Sequence, residues 1–390
     1  MSYVLRDYQQ KASDAAVSFF ANKTKRNNAI MVLPTGAGKS LVIADIASRL
    51  EGHTLVFQPS KEILEQNYLK LCSYGILDCS VYSASFGRKD ISRITFATIG
   101  SVKNHPELFR HFRNIIIDEC HLVNPKEGMY KDFLTMLQCK VLGLTATPYR
   151  LSSSRDFGSM LKFITRTRPC VFSEVIYQVQ ISTLLDMGYL SKLNYYAMNP
   201  LGWNELNLKV NTTGADYTDK SVVKEYERID FYGFLVSIVR RLMNPKVGGK
   251  RKGILVFTRF LKEAQRLTQS IPGTAIVSGD TPKKERERIL EEFKAGEIPV
   301  VANVGVLTTG FDYPELDTIV MARPTMSLAL WYQIVGRAIR PHPTKEAGWI
   351  VDLCGNIKRF GEVKDLRLVN GGNGKWAVFS NNRQLTNVRF

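Results

Sequence analysis

A short glycine-rich segment contains the residue types that bind phosphate. Residues 34–40 read Pro-Thr-Gly-Ala-Gly-Lys-Ser and follow an apolar run at 29–33. Glycines let backbone N–H groups approach an anion, and the start of a following helix adds a favourable dipole. We expect Lys39 to reach the β- and γ-phosphates of ATP and Ser40 to ligate Mg²⁺, although Leu33 replaces the first glycine of the strict pattern. The rest of the predicted nucleotide-binding loop is Thr35, Gly36, Ala37 and Gly38.

Two adjacent carboxylates, Asp118 and Glu119, follow a second apolar run at 114–117. Ligands of α/β sheets bind at the carboxyl ends of the strands, which is where this pair would lie. We expect Asp118 to hold Mg²⁺ and Glu119 to orient and deprotonate an attacking water. His121, two residues further on, is a candidate for coupling this site to the next motif.

The elements that must position these residues are short apolar runs alternating with amphipathic stretches. This alternation predicts an α/β fold with mostly parallel sheets that carry helices on both faces. It weakens between about 149 and 192 and then resumes, so we expect two tandem domains, at 1–165 and 166–365, and a short C-terminal tail at 366–390. From residue 371 onward this tail would be either loose or a short hairpin. The strand-like runs are residues 29–33, 54–57, 93–96, 114–117, 141–144, 253–257, 274–277, 299–302, 318–321 and 348–352.

Composition narrows the class of protein. The 390 residues carry 53 Lys and Arg against 36 Asp and Glu, a net charge of +17 that favours polyanionic partners such as nucleic acid. No apolar run approaches the roughly 20 residues that span a bilayer, and the start has no signal-peptide pattern. The six cysteines form no CxxC pair, which disfavours a zinc site. We expect a cytoplasmic protein with reduced thiols and no membrane partner.

Three further motifs give the sequence its resemblance to a known family. Residues 118–121 read Asp-Glu-Cys-His, 144–148 read Leu-Thr-Ala-Thr-Pro, and 333–340 read Gln-Ile-Val-Gly-Arg-Ala-Ile-Arg. The set resembles the DExH branch of helicase superfamily two, and its order resembles the RadD group of bacterial DNA-repair helicases. The resemblance implies two RecA-like domains that bind ATP between them and hydrolyse it to move along nucleic acid.

The resemblance also implies roles for individual residues. Arg6 and Gln9 match an adenine-reading segment, and Thr145 and Thr147, with His121, match the residues that couple the γ-phosphate to domain movement. In the second domain, the ribose contacts would be Gly310 and Asp312, and the catalytic residues that cross the cleft would be Gln333 and the arginine fingers Arg337 and Arg340. The predicted nucleic-acid contacts are Pro59, Ser60, Lys61, Thr98, Ser101, Arg259, Thr308 and Thr309.

The sequence departs from the RadD pattern because it has no cysteine-rich C-terminal cluster, which would fit a compact form encoded by a phage or mobile element. DNA is the favoured polymer, and a monomer is the default oligomeric state. An RNA-dependent ATPase remains an alternative, because the motifs do not report contacts to a 2′-hydroxyl. Two further alternatives remain. One is an annealing or branch-migration motor that does not separate strands, and the other is an ATP-gated clamp that does not hydrolyse ATP. The sequence does not identify a single-strand-binding or recombination protein partner.

Overall fold

This computed structural model describes residues 3–24, 27–137, 139–154, 158–198, 206–245, 251, 253–308, 311–372 and 374–386. The first domain is a sheet covered by helices. Its strands are β1 Ala29–Val32, β2 Thr54–Phe57, β3 Cys79–Ser83, β4 Arg88–Lys89, β5 Ile94–Ala97, β6 Asn114–Asp118, β7 Lys140–Thr145, β8 Tyr149–Ser154, β9 Gly158–Phe163 and β10 Glu174–Gln178. Its helices are α1 Asp7–Ala21, α2 Lys39–Arg49, α3 Lys61–Ser73, α4 Ile99–Val102, α5 Met129–Leu137 and α6 Ile181–Asp186.

The main sheet of this domain has eight strands in the order β10-β1-β7-β6-β2-β5-β3-β4. Every pairing is parallel except that of β3 with the two-residue β4. Residues of β1, β2, β5 and β6 are buried along their whole length, as expected for parallel strands covered on both faces. The carboxyl ends of β1, β7, β6, β2 and β5 therefore share one edge, and the loops that follow them lie side by side.

The second domain contains a six-stranded, fully parallel sheet in the order β11-β16-β15-β12-β14-β13. Its strands are β11 Lys192–Ala197, β12 Ile254–Thr258, β13 Thr274–Val277, β14 Val300–Val304, β15 Thr318–Ala322 and β16 Ala347–Asp352. Its helices are α7 Asp219–Arg228, α8 Phe231–Met243, α9 Leu261–Ser270, α10 Lys283–Ala295, α11 Leu328–Val335 and α12 Asn356–Phe360.

Alternating side chains divide the second sheet between two apolar cores. Leu255 and Phe257 of β12 join a cluster that continues into the first domain, whereas Val256 packs with α7, α8 and α9 on the opposite face. This is the period-two geometry of a strand that is buried on both sides. The α/β prediction with two RecA-like domains is therefore confirmed, and the domains share a continuous apolar core.

The border between the domains differs from the predicted position at 165/166. Strand β10 pairs with β1, so the first sheet extends to Gln178, and the second sheet begins only at Lys192. β10 lies at the sheet edge, its residues are only half-buried, and its sequence Glu-Val-Ile-Tyr-Gln lacks the continuous apolar run of a central strand. The hairpin of β8 and β9 occupies the rest of the stretch where the sequence pattern weakens.

The C-terminal segment forms a small antiparallel sheet, which agrees with the short hairpin and not with the loose tail of the two predicted forms. Its strands are β17 Leu366–Asn370, β18 Trp376–Ser380 and β19 Arg383–Gln384. The Trp376 ring stacks on Phe163 of the first domain with centroids 5.9 Å apart. The amide of Gln180 donates to the Leu368 carbonyl at 2.8 Å and accepts from the Leu368 N–H at 3.0 Å. The sheet therefore follows the second domain in sequence but packs against the first.

The chain has two further properties that bear on its setting. All six cysteines carry free thiols. No helix in the described part of the chain combines the length and apolarity that a membrane crossing requires.

Candidate nucleotide site and nucleic-acid contacts

The phosphate loop joins β1 to α2 and adopts a conformation that needs glycine. Gly36 and Gly38 have φ angles of 83° and 76°, in the left-handed region that other residues avoid. A Cβ on Gly38 would also lie 2.5 Å from Nε2 of Gln9, so a side chain at this position would have to displace the Gln9 amide. Lys39 begins α2, and its ammonium group lies 3.3 Å from Oε1 of Glu119. The loop thus brings the first two predicted catalytic groups together.

The carboxylate pair sits where β6 ends, with Asp118 only 6% exposed. Burial raises the pKa of Asp118, and the charge of Glu119 raises it further. Burial alone would raise the pKa of Glu119 too, but the Lys39 ammonium and His121 outweigh burial and lower it. Glu119 also has a φ angle of 49°, unusual for a non-glycine residue. The pair is therefore polarised, with the negative charge held on Glu119.

His121 links the acid pair to the Thr-Ala-Thr motif and to the second domain. Its Nδ1 lies 2.9 Å from Oγ1 of Thr145, 3.2 Å from Oγ1 of Thr147 and 3.3 Å from Oε2 of Glu119. Its Nε2 lies 3.2 Å from Nε2 of Gln333 on α11, across the cleft between the domains. The three residues assigned to coupling thus form one network, and Gln333 extends it into the second domain.

The two predicted arginine fingers line the cleft, but each is held by its own domain. Arg337 donates to the carbonyls of Phe311 at 2.8 Å and Thr308 at 2.5 Å. Burial lowers the pKa of Arg337 to about 10, with Glu119 opposing that shift, so the guanidinium stays charged at neutral pH. Arg340 is ion-paired with Asp312. Asp312, assigned to the ribose, therefore holds an arginine in this structure.

A cavity of about 340 Å³ separates the two sets of residues. Its size is that of a small-molecule ligand site. Nε of Arg337 is buried and, among the described residues, has no hydrogen-bond partner, so a further acceptor could bind there. These features fit a nucleotide polyphosphate. The lining includes Thr35, Gly36, Gly38, Lys39, Ser40, Asp118, Glu119, Asp312, Gln333, Arg337 and Arg340.

The adenine-reading segment reaches the phosphate loop from the start of α1. Gln9 is buried, and its amide donates to the Ala37 carbonyl at 3.0 Å. The Tyr8 hydroxyl donates to the same carbonyl at 2.8 Å. The Arg6 guanidinium lies 4.2 Å from the ring centroid of Tyr189, between the domains. Sequence reasoning did not identify Tyr8 or Tyr189. Tyr8 could have been found beside Gln9, whereas Tyr189 lies 183 residues from Arg6 in a segment without a motif.

The residues of the first domain that are predicted to contact a nucleic-acid strand follow β2 and β5. Ser60 caps α3 by accepting from the Ile63 N–H at 3.3 Å, and Lys61 donates to the Ser85 carbonyl. Oγ1 of Thr98 and Oγ of Ser101 lie 3.0 Å apart. Both pairs are partly exposed, as is the neighbouring Pro59. Because β2 and β5 are adjacent, these residues form one polar row at the edge of the sheet.

The prediction that Arg259 contacts nucleic acid is corrected by the structure. Its side chain is only 9% exposed and is already bound by other residues of the protein. It bridges Asp216 at 3.1 Å and Asp219 at 2.8 Å, and it donates to the Tyr217 carbonyl at 2.7 Å. It therefore fixes the segment before α7 to the end of β12 and is not available to a nucleic-acid strand.

The last predicted contacts follow β14. Thr308 is partly exposed, and its carbonyl accepts from Arg337. Thr309 and Gly310 lie outside the described residues, so their assignments stay predictions. The same loop thus joins a predicted strand contact to a predicted arginine finger.

Two family descriptions match the two domains. "Type III restriction enzyme, res subunit" matches residues 2–150, and "Helicase conserved C-terminal domain" matches residues 236–342. Together with the RecA-like pair and its shared cleft, these matches place the chain in helicase superfamily 2.

Curated relatives are similar to the chain over most of its length. A 51.5 kDa protein of a Lactococcus phage is 25% identical over 322 residues, which covers 80% of this chain and 63% of the relative. The putative ATP-dependent helicase IRC3 of Saccharomyces cerevisiae is 25% identical over 390 residues, covering 90% and 52%. The DNA 3'-5' translocase XPB2 of Sulfurisphaera tokodaii is 26% identical over 368 residues, covering 86% and 78%. The chain thus spans between half and two thirds of the length of the first two.

Among solved structures, a fragment of a putative HsdR subunit of a type I restriction enzyme from Vibrio vulnificus has a similar fold. The TM-score is 0.67 with 21% identity, and the alignment covers 92% of this chain and 66% of that one. At this identity the likeness concerns the fold alone.

Proposed function

We propose that the chain hydrolyses ATP to move along nucleic acid, with DNA as the polymer. The observation that carries the proposal is the divided cleft, in which Lys39 and Glu119 of the first domain face Gln333, Arg337 and Arg340 of the second. A simple phosphate-binding enzyme has no need of a second domain with cationic groups aimed at the same cavity. Two relatives, a putative ATP-dependent helicase and a DNA translocase by name, support this assignment.

Within the cleft, we assign Lys39 and the loop 34–40 to the phosphates of ATP. Ser40 and Asp118 are the proposed Mg²⁺ ligands, which suits an ion that commonly takes few protein ligands and completes its shell with phosphate oxygens and water. The described residues contain no group of three His, Cys, Asp or Glu that could hold a metal alone. The fit of Mg²⁺ therefore depends on the nucleotide. Glu119, ionised beside Lys39, would orient the attacking water.

Hydrolysis and domain movement are linked through the same residues. The site is complete only when the domains meet, because Arg337 and Arg340 belong to the second domain and Lys39 to the first. The His121–Gln333 contact of 3.2 Å gives the γ-phosphate side of the site a direct connection across the cleft. Closing and opening of the cleft would then change the distance between the strand contacts of the two domains, which is a translocation step.

The proposed strand contacts lie on both domains. Ser60, Lys61, Thr98 and Ser101 form the polar row of the first, and Thr308 with its neighbour Thr309 represents the second. Such groups bind the sugar-phosphate backbone and carry little sequence information, so binding should be largely independent of sequence and should weaken with salt.

DNA is favoured over RNA because the relatives' names and the RadD-like motif order both point to DNA. The relative from a Lactococcus phage is in keeping with a phage-encoded protein, and the RadD-like motif order is the basis for proposing repair or recombination intermediates as substrates. We propose a monomer, because each half of the site comes from the same chain. An RNA-dependent ATPase and an annealing motor that does not separate strands are the alternatives that experiment must exclude.

The decisive test is ATP hydrolysis by the purified chain without polymer and with single-stranded DNA, duplex DNA, branched DNA or single-stranded RNA. We expect DNA to stimulate turnover, most strongly in branched form, and the Lys39→Ala protein provides the background rate. Stimulation by RNA alone would overturn the DNA assignment. Absence of turnover with every polymer would overturn the motor and favour a clamp.

A further inference from the structure

A second polar cavity, of about 160 Å³, lies beside the nucleotide site on the first domain. We call it the basic pocket; its lining residues are Asn124, Pro125, Lys126, Arg150, Leu151, Thr167 and Arg168. They come from three segments, the loop after the Asp-Glu-Cys-His box, the start of β8 after Thr-Ala-Thr-Pro, and the turn after β9. None of these residues has been given a role so far.

Cations dominate this pocket, and its described lining includes no carboxylate. Lys126, Arg150 and Arg168 contribute three positive charges, and none of them forms a salt bridge within the described part of the chain. Lys162 adds a fourth positive charge at the rim, because it pairs directly opposite Arg150 on the hairpin and shares its face. Like charges gathered without counterions cost free energy unless an anion joins them, so the pocket is suited to an anionic ligand.

Arg150 is the organising group of the pocket. One guanidinium nitrogen donates to the Val123 carbonyl at 2.7 Å, and the other two have no acceptor among the described residues. Those two nitrogens are not sealed in the interior, and burial lowers the pKa of the side chain without making it neutral. The amide nitrogen of Asn124 is likewise without an acceptor in the described structure, because its oxygen alone is engaged, by the Lys126 N–H. Several donors therefore point to the same space.

The dimensions of the pocket limit the ligand. Sites for nucleotides and other small molecules usually occupy about 300–1,000 Å³, so this pocket is too small for a second ATP but has room for a single phosphate group. Guanidinium groups bind phosphate oxygens through paired N–H donors, which matches the unoccupied side of Arg150.

The position of the pocket identifies the source of that phosphate. It lies beyond the carboxyl ends of β6 and β7, and the proposed strand contacts Lys61 and Thr98 lie beyond β2 and β5. The four strands are consecutive in the order β7-β6-β2-β5, with about 4.8 Å between neighbours. The pocket therefore continues the row of strand contacts along the same edge of the sheet, by a distance of about two to three strands.

We propose that the basic pocket binds a backbone phosphate of the nucleic acid, outside the contacts that the helicase motifs supply. This inference rests on the proposed function, since it extends the same nucleic-acid path. It also places that phosphate beside Arg150, which follows Thr-Ala-Thr-Pro and is anchored by the Val123 carbonyl after the Asp-Glu-Cys-His box, close in sequence to the segments that surround the γ-phosphate site.

The test is the salt dependence of DNA binding by the full chain, measured for wild type, Lys126→Gln/Arg150→Gln and Lys126→Gln. Each phosphate contact contributes about 0.9 to the slope of log affinity against log salt on duplex DNA and about 0.7 on single strands. We expect the double variant to lose about one such contribution and the single variant part of it. The single variant guards against a folding defect, because the Lys126 side chain makes no hydrogen bond in the described structure.

Lys220→Gln/Lys224→Gln is the matched control, because it removes two exposed charges from α7 of the second domain. A changed slope on single-stranded DNA would assign the phosphate to the tracked strand, and a change on duplex alone would assign it to the complementary strand. Slopes equal to wild type, or equal losses in the control, would overturn the proposal. Because binding is measured without ATP, failure of DNA to stimulate hydrolysis would instead count against the motor.

Discussion

The two halves of the nucleotide cleft are prepared to different degrees. In the first domain, Lys39 and Glu119 already face each other at 3.3 Å, and His121 joins them to the Thr-Ala-Thr motif. In the second domain, Arg337 is bound by the carbonyls of Thr308 and Phe311, and Arg340 by Asp312. The first half is assembled for phosphate, whereas the second keeps its cations on its own loop.

We infer from this difference that the second half of the cleft controls ATP hydrolysis. If Arg340 is an arginine finger, as we propose, it must exchange Asp312 for phosphate before it can act, whereas the proposed phosphate-binding groups of the first half already line the cavity. The loop that holds the arginines also carries Thr308, a proposed strand contact. Nucleic acid that draws on this loop could therefore release the arginines, which would make hydrolysis depend on the polymer.

The largest effect is expected from Lys39→Ala, which removes the cation of the assembled half. Phosphate binding and charge compensation for Glu119 are lost together, so ATP turnover should fall by about 10³-fold or more. DNA binding without nucleotide should be retained, because Lys39 faces Glu119 inside the nucleotide cavity and is not one of the proposed nucleic-acid contacts. Steady-state hydrolysis and DNA titration check both statements, and a variant with full turnover would refute the assignment of the phosphate loop.

Arg340→Ala tests the second half of the cleft, whose arginines are bound by residues of their own domain. The finger stabilises charge that develops during transfer, so hydrolysis should drop by about 10³-fold while ATP affinity changes little. Single-turnover hydrolysis combined with nucleotide binding separates the two quantities. Normal turnover at saturating ATP, with affinity alone reduced, would contradict the finger role.

Arg259→Ala tests whether Arg259, unlike the proposed arginine fingers, has a purely structural role. Its removal leaves Asp216 and Asp219 without their shared partner, and loss of a hydrogen bond to a charged group typically costs about 1.5–3 kcal/mol. We expect a clear drop in the urea midpoint of the second domain and DNA affinity close to wild type at sub-denaturing conditions. A large loss of DNA affinity in a variant of normal stability would restore Arg259 to the nucleic-acid contacts.

Two glutamates, one in each domain, have pKa values shifted in opposite directions. Glu119 faces Lys39 and has a lowered pKa, whereas burial raises the pKa of Glu263 on α9 to about 7 despite the Phe260 N–H it accepts. The folded state thus holds the Glu263 proton more tightly than the unfolded state, so wild type loses stability as pH rises from about 5 to above 7.

Glu263→Gln carries no titrating group at this position, so its stability relative to wild type should increase over that pH window. The increment is on the order of 3 kcal/mol at most, since one pKa unit corresponds to about 1.4 kcal/mol. Urea unfolding at pH 5, 6, 7 and 8 provides the measurement, and a difference that does not vary with pH would argue against the raised pKa.

The smallest effect is expected from Gln333→Ala, which cuts the contact between the two halves. Loss of one hydrogen bond to His121 is worth about 1 kcal/mol, so turnover should fall by roughly fivefold. If Gln333 acts through His121, DNA-stimulated turnover should fall more than the rate without DNA. Equal reduction of both rates would assign Gln333 to the chemistry alone.

The sequence predicted most of the first half and the fold because both depend on local patterns. A glycine-rich turn after a strand, and a carboxylate pair at a strand end, place Lys39 and Glu119 wherever a parallel sheet forms. The apolar runs likewise marked the central strands, since strands that are buried on both faces need continuous apolar residues.

The errors concern contacts that no local pattern encodes. Arg259 follows a strand end as a strand contact should, but its partners Asp216 and Asp219 lie about 40 residues earlier, in a segment without a motif. β10 was missed because an edge strand needs less apolar surface than a central one. The sequence left open whether the C-terminal segment is a hairpin, and its packing could not be predicted because the partners, Phe163 and Gln180, belong to the other domain.

That C-terminal sheet gives the molecule a second tether between its domains. The first is the chain itself near Gly188, and the second runs from the Val363 N–H, which donates to Tyr195 at 3.0 Å in the second domain, to Leu368 on Gln180 in the first. A connection through the chain alone would let the second domain turn freely about it, whereas the C-terminal sheet attaches the domains a second time. While both attachments hold, the range of relative movement of the two domains is restricted.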